Sequence, residues 1–252
     1  SKASNQSIGL PSEPGEPMLR AVLRRENSQG PLRELAAMIA RSRFYGRVQL
    51  EHLRDAGSAL GSEVCLDNGA KNLFTVLRNW RDTSEMEHRG NFVMERMTEI
   101  FPAHFRRLDF TTLGQRTSAT VVTPKWTTKL LPTDWSDGFF CTLALLTAVA
   151  SVDAEGVVAI DEPENSLHPG LITQLLEAMR MWSKLRGVTV LLATHSPVVL
   201  DQFKGEPEKV FVMQPGKDVL PVALDSLKKR EWLQHFSIGD IYSHLEVGAP
   251  TP

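Results

Sequence analysis

The run Val157-Val158-Ala159-Ile160-Asp161-Glu162-Pro163-Glu164 constrains this chain more than any other stretch. Four consecutive apolar residues are the pattern of a strand covered on both faces, as in parallel sheets. Such a strand running straight into carboxylates delivers them to the carboxyl edge of its sheet, where open α/β folds bind ligands. Neighbouring side chains on a strand point opposite ways, so Asp161 and Glu162 are expected to differ in role. One would hold Mg²⁺, directly or through its waters, and the other would orient an attacking water. Alone, the same text equally describes a strand ending in solvated acids before a turn at Pro163.

The text around it sets the fold class. Gly170–Leu185 carries Leu171, Leu175, Ala178 and Trp182 on one side of a helix, and Val188–Ala193, apolar but for Thr189, reads as a second buried strand. Strand, helix, strand at this spacing is a βαβ unit with a right-handed crossover, and Val210–Met213 is a third strand candidate. The class is therefore α/β, a mainly parallel sheet flanked by helices. Upstream, helical spacing marks Leu32–Tyr45, Lys71–Trp80 and Asn91–Phe101, and β-branched residues mark strands at Leu108–Leu113 and Ala119–Thr123. Residues 1–17 hold many breakers and almost no large apolar side chains, as a linker or surface arm would.

Composition excludes several classes. The chain has 252 residues, enough for a sizeable core, and 42% of them are hydrophobic, which argues against wholesale disorder. A net charge of −2 gives no global electrostatic case for nucleic acid. Two cysteines, Cys65 and Cys141, exclude a disulfide framework and suit a reducing compartment. The longest apolar run, Phe139–Val152, falls short of the ~20 residues a membrane span needs. The chain starts at Ser1 with no signal-peptide pattern, and the expectation is that it begins part-way through a longer protein.

Three more stretches could carry chemistry. Trp135-Ser136-Asp137-Gly138 precedes the apolar helix Phe139–Val149; its cap, its exposed amides and Gly138 suit a phosphate, or simply cap a helix. Ala193-Thr194-His195-Ser196-Pro197 follows a strand, so His195 is placed to reach a phosphate or an attacking water, or is structural. Ser166-Leu167-His168-Pro169 lies between the acids and the next helix, and reads as a turn or a plain helix entrance. The order of these parts, with Asp161 coming 23 residues after Gly138 and His195 coming 34 after Asp161, is seldom supplied by chance.

On WSDG (Trp135–Gly138), VVAIDEPENSLHP (Val157–Pro169) and ATHSP (Ala193–Pro197), the chain resembles ATP-binding-cassette ATPases of the RecF-like and overcoming-lysogenization-defect-like branch. DNGAKNLFTVL (Asp67–Leu77) and FSIGDIY (Phe236–Tyr242) add weaker support. The resemblance spans roughly residues 40 to 245. It implies that Ser136, Asp137 and Gly138 form the signature motif, which touches the γ-phosphate bound by the opposite protomer. It implies that Asp161 holds Mg²⁺ through water, that Glu162 polarises the attacking water and that His195 contacts the γ-phosphate. Ser166, Leu167 and His168 fall in the loop that crosses the dimer interface. Trp135 stands where the family usually has Leu, and Phe139 where it has a small or polar residue. A phosphate cradle of the form G-x-x-x-x-G-K-[ST] is absent from the sequence; its only Gly-Lys pair, Gly216-Lys217, is followed by Asp218 and lacks the upstream glycine.

The resemblance thus implies the carboxyl-terminal lobe of such an ATPase: a linker over 1–30, a helical and β insertion region over 31–130, and the ATPase lobe over 131–252. The cofactors implied are ATP and Mg²⁺. The implied partners are an amino-terminal lobe or companion chain with the cradle, a second copy of the chain, and in some relatives a nuclease effector or DNA, in DNA repair or phage defence in the cytoplasm. Basic clusters at Arg24-Arg25, Arg41, Arg43, Arg106-Arg107 and Lys228-Lys229-Arg230 leave DNA open, although most such runs are solvated faces. Two other readings stand beside this one. One is a non-catalytic assembly module. The other is a metal-dependent hydrolase or nuclease with Asp161, Glu162, Glu164, His168 and His195 as ligands.

Overall fold

The computed structural model describes residues 41–125, 129–213, 221–227 and 237–240. All of its elements belong to the unit Arg43–Pro252, distinct from the unit Ser1–Ser42. The expected linker, most of the expected helix Leu32–Tyr45, the Gly216-Lys217 pair, the basic clusters at 24–25 and 228–230 and most of Phe236–Tyr242 lie outside the described residues.

The α/β expectation is met by a three-stranded parallel sheet. β5 (Val157–Asp161) is central, flanked by β1 (Arg43–Tyr45) on one side and β6 (Thr189–Ala193) on the other. β1 corrects the helical reading of Leu32–Tyr45 at its carboxyl end. Three residues hold too little periodicity to identify a strand, and only pairing with β5 makes them one. α5 (Pro169–Arg186) joins β5 to β6, as a βαβ unit requires.

The expectation that both strands are covered on both faces holds only in part. Tyr45, Val158 and Ile160 are buried on one face, whereas β6 alternates between exposed and half-buried residues. Phe44, Ala159 and Leu191 share one row of the register on the other face. Phe44 is 55% exposed and Leu191 54%. β6 has no further strand beside it among the described elements, so its apolar run marks strand identity and not two-sided burial.

α4 (Asp137–Ala150) runs through the core. Every residue from Phe139 to Ala150 is buried, so this helix is apolar all round, as only a helix enclosed by protein can be. It packs against α2 (Leu73–Asp82), α3 (Glu87–Ile100) and α5. Each fully buried Leu or Phe contributes about 1.5–3 kcal/mol relative to exposure. Trp80, Phe74, Phe140, Leu143, Leu146 and Trp182 are among those buried most completely.

A second, antiparallel sheet orders β2 (Ser58–Ala59), β4 (Arg116–Val122) and β3 (Arg107–Leu113), and its hairpin turns at Gly114-Gln115, with Gly114 at φ 57°. α1 (Leu50–Ala56) links β1 to β2. α6 (Pro197–Asp201) follows β6. Val210–Met213 corrects to β7 (Phe211–Val212), which pairs antiparallel with β8 (Val222–Ala223) and stays out of the parallel sheet. α7 (Leu224–Leu227) follows, and Leu224 packs with Val210 and Ile238 in a small separate core. None of the described helices is long and apolar enough to cross a membrane.

Candidate functional site

The carboxyl edge of the parallel sheet opens into a cleft of about 650 Å³. β5 delivers Asp161 and Glu162 to its wall, as the strand run led one to expect, and both are exposed. Asp137 and Ser166 line the same cleft, so four of the residues singled out from separate stretches meet in one place. Ser136, Gly138, His168 and His195 stand outside the lining set.

Asp161 is the last residue of β5 and pairs in register with Ala193 of β6. Adjacent strands lie about 4.8 Å apart, so His195, two residues beyond Ala193, leaves the sheet beside the acids. His195 is exposed. Glu162 continues the ladder by donating its amide to the Ala193 carbonyl at 2.8 Å, but its φ of 47° turns the chain sharply out of the strand. Its carboxylate Oε2 accepts from Asn165 Nδ2 at 2.7 Å. Asp161 and Glu162 therefore do differ in setting. One ends the strand facing the cleft, and the other is held by a turn.

The start of α4 is built by three contacts. Ser136 Oγ caps the helix by accepting from the Phe139 amide at 3.2 Å. Asp137 in the first turn carries the charge the helix dipole favours there. Arg54 from α1 bridges to it, donating from Nη2 to Asp137 Oδ1 at 2.6 Å and to the Trp135 carbonyl at 2.7 Å. Gly138 is a close-approach position: a Cβ there would stand 3.2 Å from the Ser166 carbonyl. The turn before α4 and the loop after β5 are thus pressed together through a residue that needs no side chain.

The two departures from the family pattern have a packing cause. Trp135 and Phe139 sit with ring centroids 5.1 Å apart, and Trp135 lies 4.7 Å from Phe140 and 5.8 Å from Phe74. Phe139 in turn meets Phe101 at 5.1 Å and Phe105 at 5.8 Å. The aromatic side chains at these positions fasten the turn to the core, while the polar residues between them, Ser136 and Asp137, stay exposed.

His168 caps α5: its Nδ1 accepts from the Gly170 amide at 3.2 Å, with Pro169 in the first helical turn. An accepting Nδ1 carries no proton, which leaves Nε2–H for an outward contact. Cys141, one turn into α4, lines the cleft, and burial pushes its thiol up to about 11. No residue of the Asp67–Leu77 stretch lines the cleft, although the Gly69 carbonyl accepts from the amide of the lining residue Gln49 at 3.0 Å. Asp67 Oδ1 accepts from the Gly69 and Lys71 amides, closing a loop that leads into α2.

The opposite wall was not read from the sequence. Gly46, Arg47, Val48 and Gln49 line the cleft from the carboxyl end of β1, together with Leu50, Glu51, His52 and Arg54 of α1. The one signal that could have found them is β1 itself, since residues after a strand beside β5 must reach the same sheet edge as Asp161.

In the donor chemistry of Mg²⁺, hard oxygens supplied partly by substrate phosphates, one exposed carboxylate at a strand end is the share a protein contributes. Asp161 fits that share. Among the described residues no group of three or more His, Cys, Asp or Glu is placed to hold a metal ion by itself.

Residues 88–201 match the family model described as "AAA domain, putative AbiEii toxin, Type IV TA system". The matched stretch takes in Ser136–Gly138, Asp161, Glu162, Ser166–His168 and His195. It bears out the resemblance carried by the motifs: this part of the chain is similar to AAA-type ATPase domains. No curated protein matches the sequence. Among solved structures, the crystal structure of an SmcHead bound to the C-winged helix domain of ScpA is similar, with a TM-score of 0.47 and 10% identity. The match covers 79% of this chain and 63% of that one, so the chain spans less than two thirds of that neighbour's length.

Proposed function

We propose that the cleft binds ATP with Mg²⁺ and hydrolyses it, with the phosphate cradle supplied by a further amino-terminal segment or a companion chain. The observation that carries this reading is the meeting of Asp161, Glu162, Asp137 and Ser166 around one cleft at the carboxyl edge of a parallel sheet. The family match to residues 88–201 supports it.

In this reading Asp161 holds Mg²⁺ through its waters. The ion, when bound, neutralises charge on the phosphate oxygens. Glu162 orients the attacking water with the carboxylate oxygen that Asn165 leaves open, and the Asn165 bond keeps that carboxylate from swinging. His195, leaving the sheet one strand away, contacts the γ-phosphate. Ser136, Asp137 and Gly138 offer amides and a helix N-terminus to a nucleotide held by a second copy, and Ser166 and His168 face that copy across the interface. Closure around nucleotide then converts γ-phosphate binding into a conformational bias, which DNA repair or phage defence in the cytoplasm would use, with a nuclease or DNA as the downstream partner.

The metal-hydrolase reading fares worse on geometry. Among the described residues no three of its candidate ligands come together where they could hold a metal ion, and His168 Nδ1 is used in capping α5. The assembly-module reading differs from the proposal in its consequences: it expects no turnover under any pairing. Reconstituting the chain with a segment that carries the G-x-x-x-x-G-K-[ST] loop should give Mg²⁺-dependent ATP turnover that stops on chelation. An assembled, nucleotide-bound complex without turnover would overturn the hydrolytic reading in favour of the module.

A further inference from the structure

Two loops leave the sheet edge side by side, 162–167 after β5 and 194–196 after β6. The strand ladder joins them as far as the Glu162 amide and the Ala193 carbonyl. Beyond that point Thr194 Oγ1 donates to Glu164 Oε1 at 2.7 Å and accepts from the Ser196 amide at 2.9 Å. The hydroxyl is used in both directions, so its orientation is fixed, and a carboxylate acceptor makes the bond a strong one.

Glu164 is held there against two costs. Its Oε2 is sealed from solvent without a hydrogen-bond partner among the described residues, which is unfavourable for a carboxylate oxygen. It is also flanked by left-handed backbone at Glu162, φ 47°, and Ser166, φ 65°, where a residue with a Cβ is strained. Strain of this kind persists only where surrounding contacts over-determine the loop. Buried Pro163, the Asn165–Glu162 bond and the Glu164–Thr194 bond are among those contacts, and the last of them ties the loop to 194–196.

We propose that Glu164 and Thr194 are a positioning pair that locks the acid loop to the histidine loop, so that Glu162 and His195 are presented to one phosphate as a unit. This inference rests on the nucleotide reading of the cleft. Neither residue touches nucleotide; both act through their neighbours.

Two measurements test it. In amide hydrogen exchange on the full chain, Glu164→Ala should speed exchange in 194–196, and Thr194→Val should speed it in 165–167, by about tenfold or more, while Thr194→Ser stays near wild type. Exchange unchanged in the opposite loop would overturn the lock. In an ATP-hydrolysing assembly, Glu164→Ala and Thr194→Val should lower kcat about ten- to a hundredfold with KM nearly constant, and Thr194→Ser should restore it. A loss expressed only in KM, or an unchanged kcat where Glu162→Gln abolishes turnover, would refute the positioning role. Full turnover by Glu162→Gln would instead refute the nucleotide reading, and the exchange result would still decide whether the loops are tied.

Discussion

The two ends of α4 are built on opposite terms. At its carboxyl end Arg89 of α3, only 6% exposed in its side chain, donates to the Ala150 carbonyl at 3.1 Å, to the Ser151 carbonyl at 2.7 Å and to Asp153 Oδ1 at 2.7 Å. A buried guanidinium thus satisfies the carbonyls that a helix end leaves over, and adds the positive charge its dipole favours. At the amino end Ser136 and Asp137 are exposed, and Arg54 braces Asp137 from the cleft side. One end is sealed for stability. The other is anchored by aromatic neighbours and left open, as the proposed contact with nucleotide requires. The helix is a strut, fixed at one end so that the other can be presented without wandering.

That contrast can be broken from either side. Arg89→Ala should have the largest effect, about 2–4 kcal/mol of lost stability, because it strands buried carbonyls. A urea-denaturation midpoint would read it, and a loss as small as that of a surface substitution would mean the carboxyl end is not the anchor. Ser136→Ala removes a single cap and should cost about 1 kcal/mol. It should nevertheless weaken nucleotide-driven dimerisation, seen by light scattering with and without ATP, far more than Arg89→Met does at equal residual stability. Equal effects would erase the distinction between the ends.

The two cysteines give the finest probe, since one lies near each end. Cys141 lines the cleft one turn into α4, and Cys65 Sγ lies 3.6 Å from the Ser151 carbonyl at the far end. With its thiol pushed up to about 11, Cys141 is about one part in a thousand thiolate at pH 8. Its alkylation rate should climb about tenfold per pH unit until pH approaches that value, and an ATP analogue should slow Cys141 while leaving Cys65 untouched. Protection at both sites would point to general tightening and not to a ligand in the cleft.

Much of this was legible because it is local. An apolar run ending in acids identifies β5 and its outlet. A cap followed by a run that is apolar but for Thr142 and Thr147 identifies α4, and a histidine before proline marks the entry to α5. The hidden parts all depend on pairing between distant residues. β1 is three residues long and becomes a strand only beside β5, so the Gly46–Arg54 wall stayed out of view. The open face of β6 follows from its position at the sheet edge, which its apolar sequence does not encode. The Glu164–Thr194 bond joins residues 30 apart in sequence. Trp135 and Phe139 read as departures from a motif until the aromatic cluster that holds them is seen.

The central claim, that Glu162 at this sheet edge works on nucleotide, is tested most directly by comparing the Glu162→Gln variant with the unaltered chain in an ATP-competent assembly, measuring bound ATP and released phosphate together. The expected result is undiminished, Mg²⁺-dependent ATP binding with phosphate release reduced at least about a hundredfold. Phosphate release at the unaltered rate would contradict it.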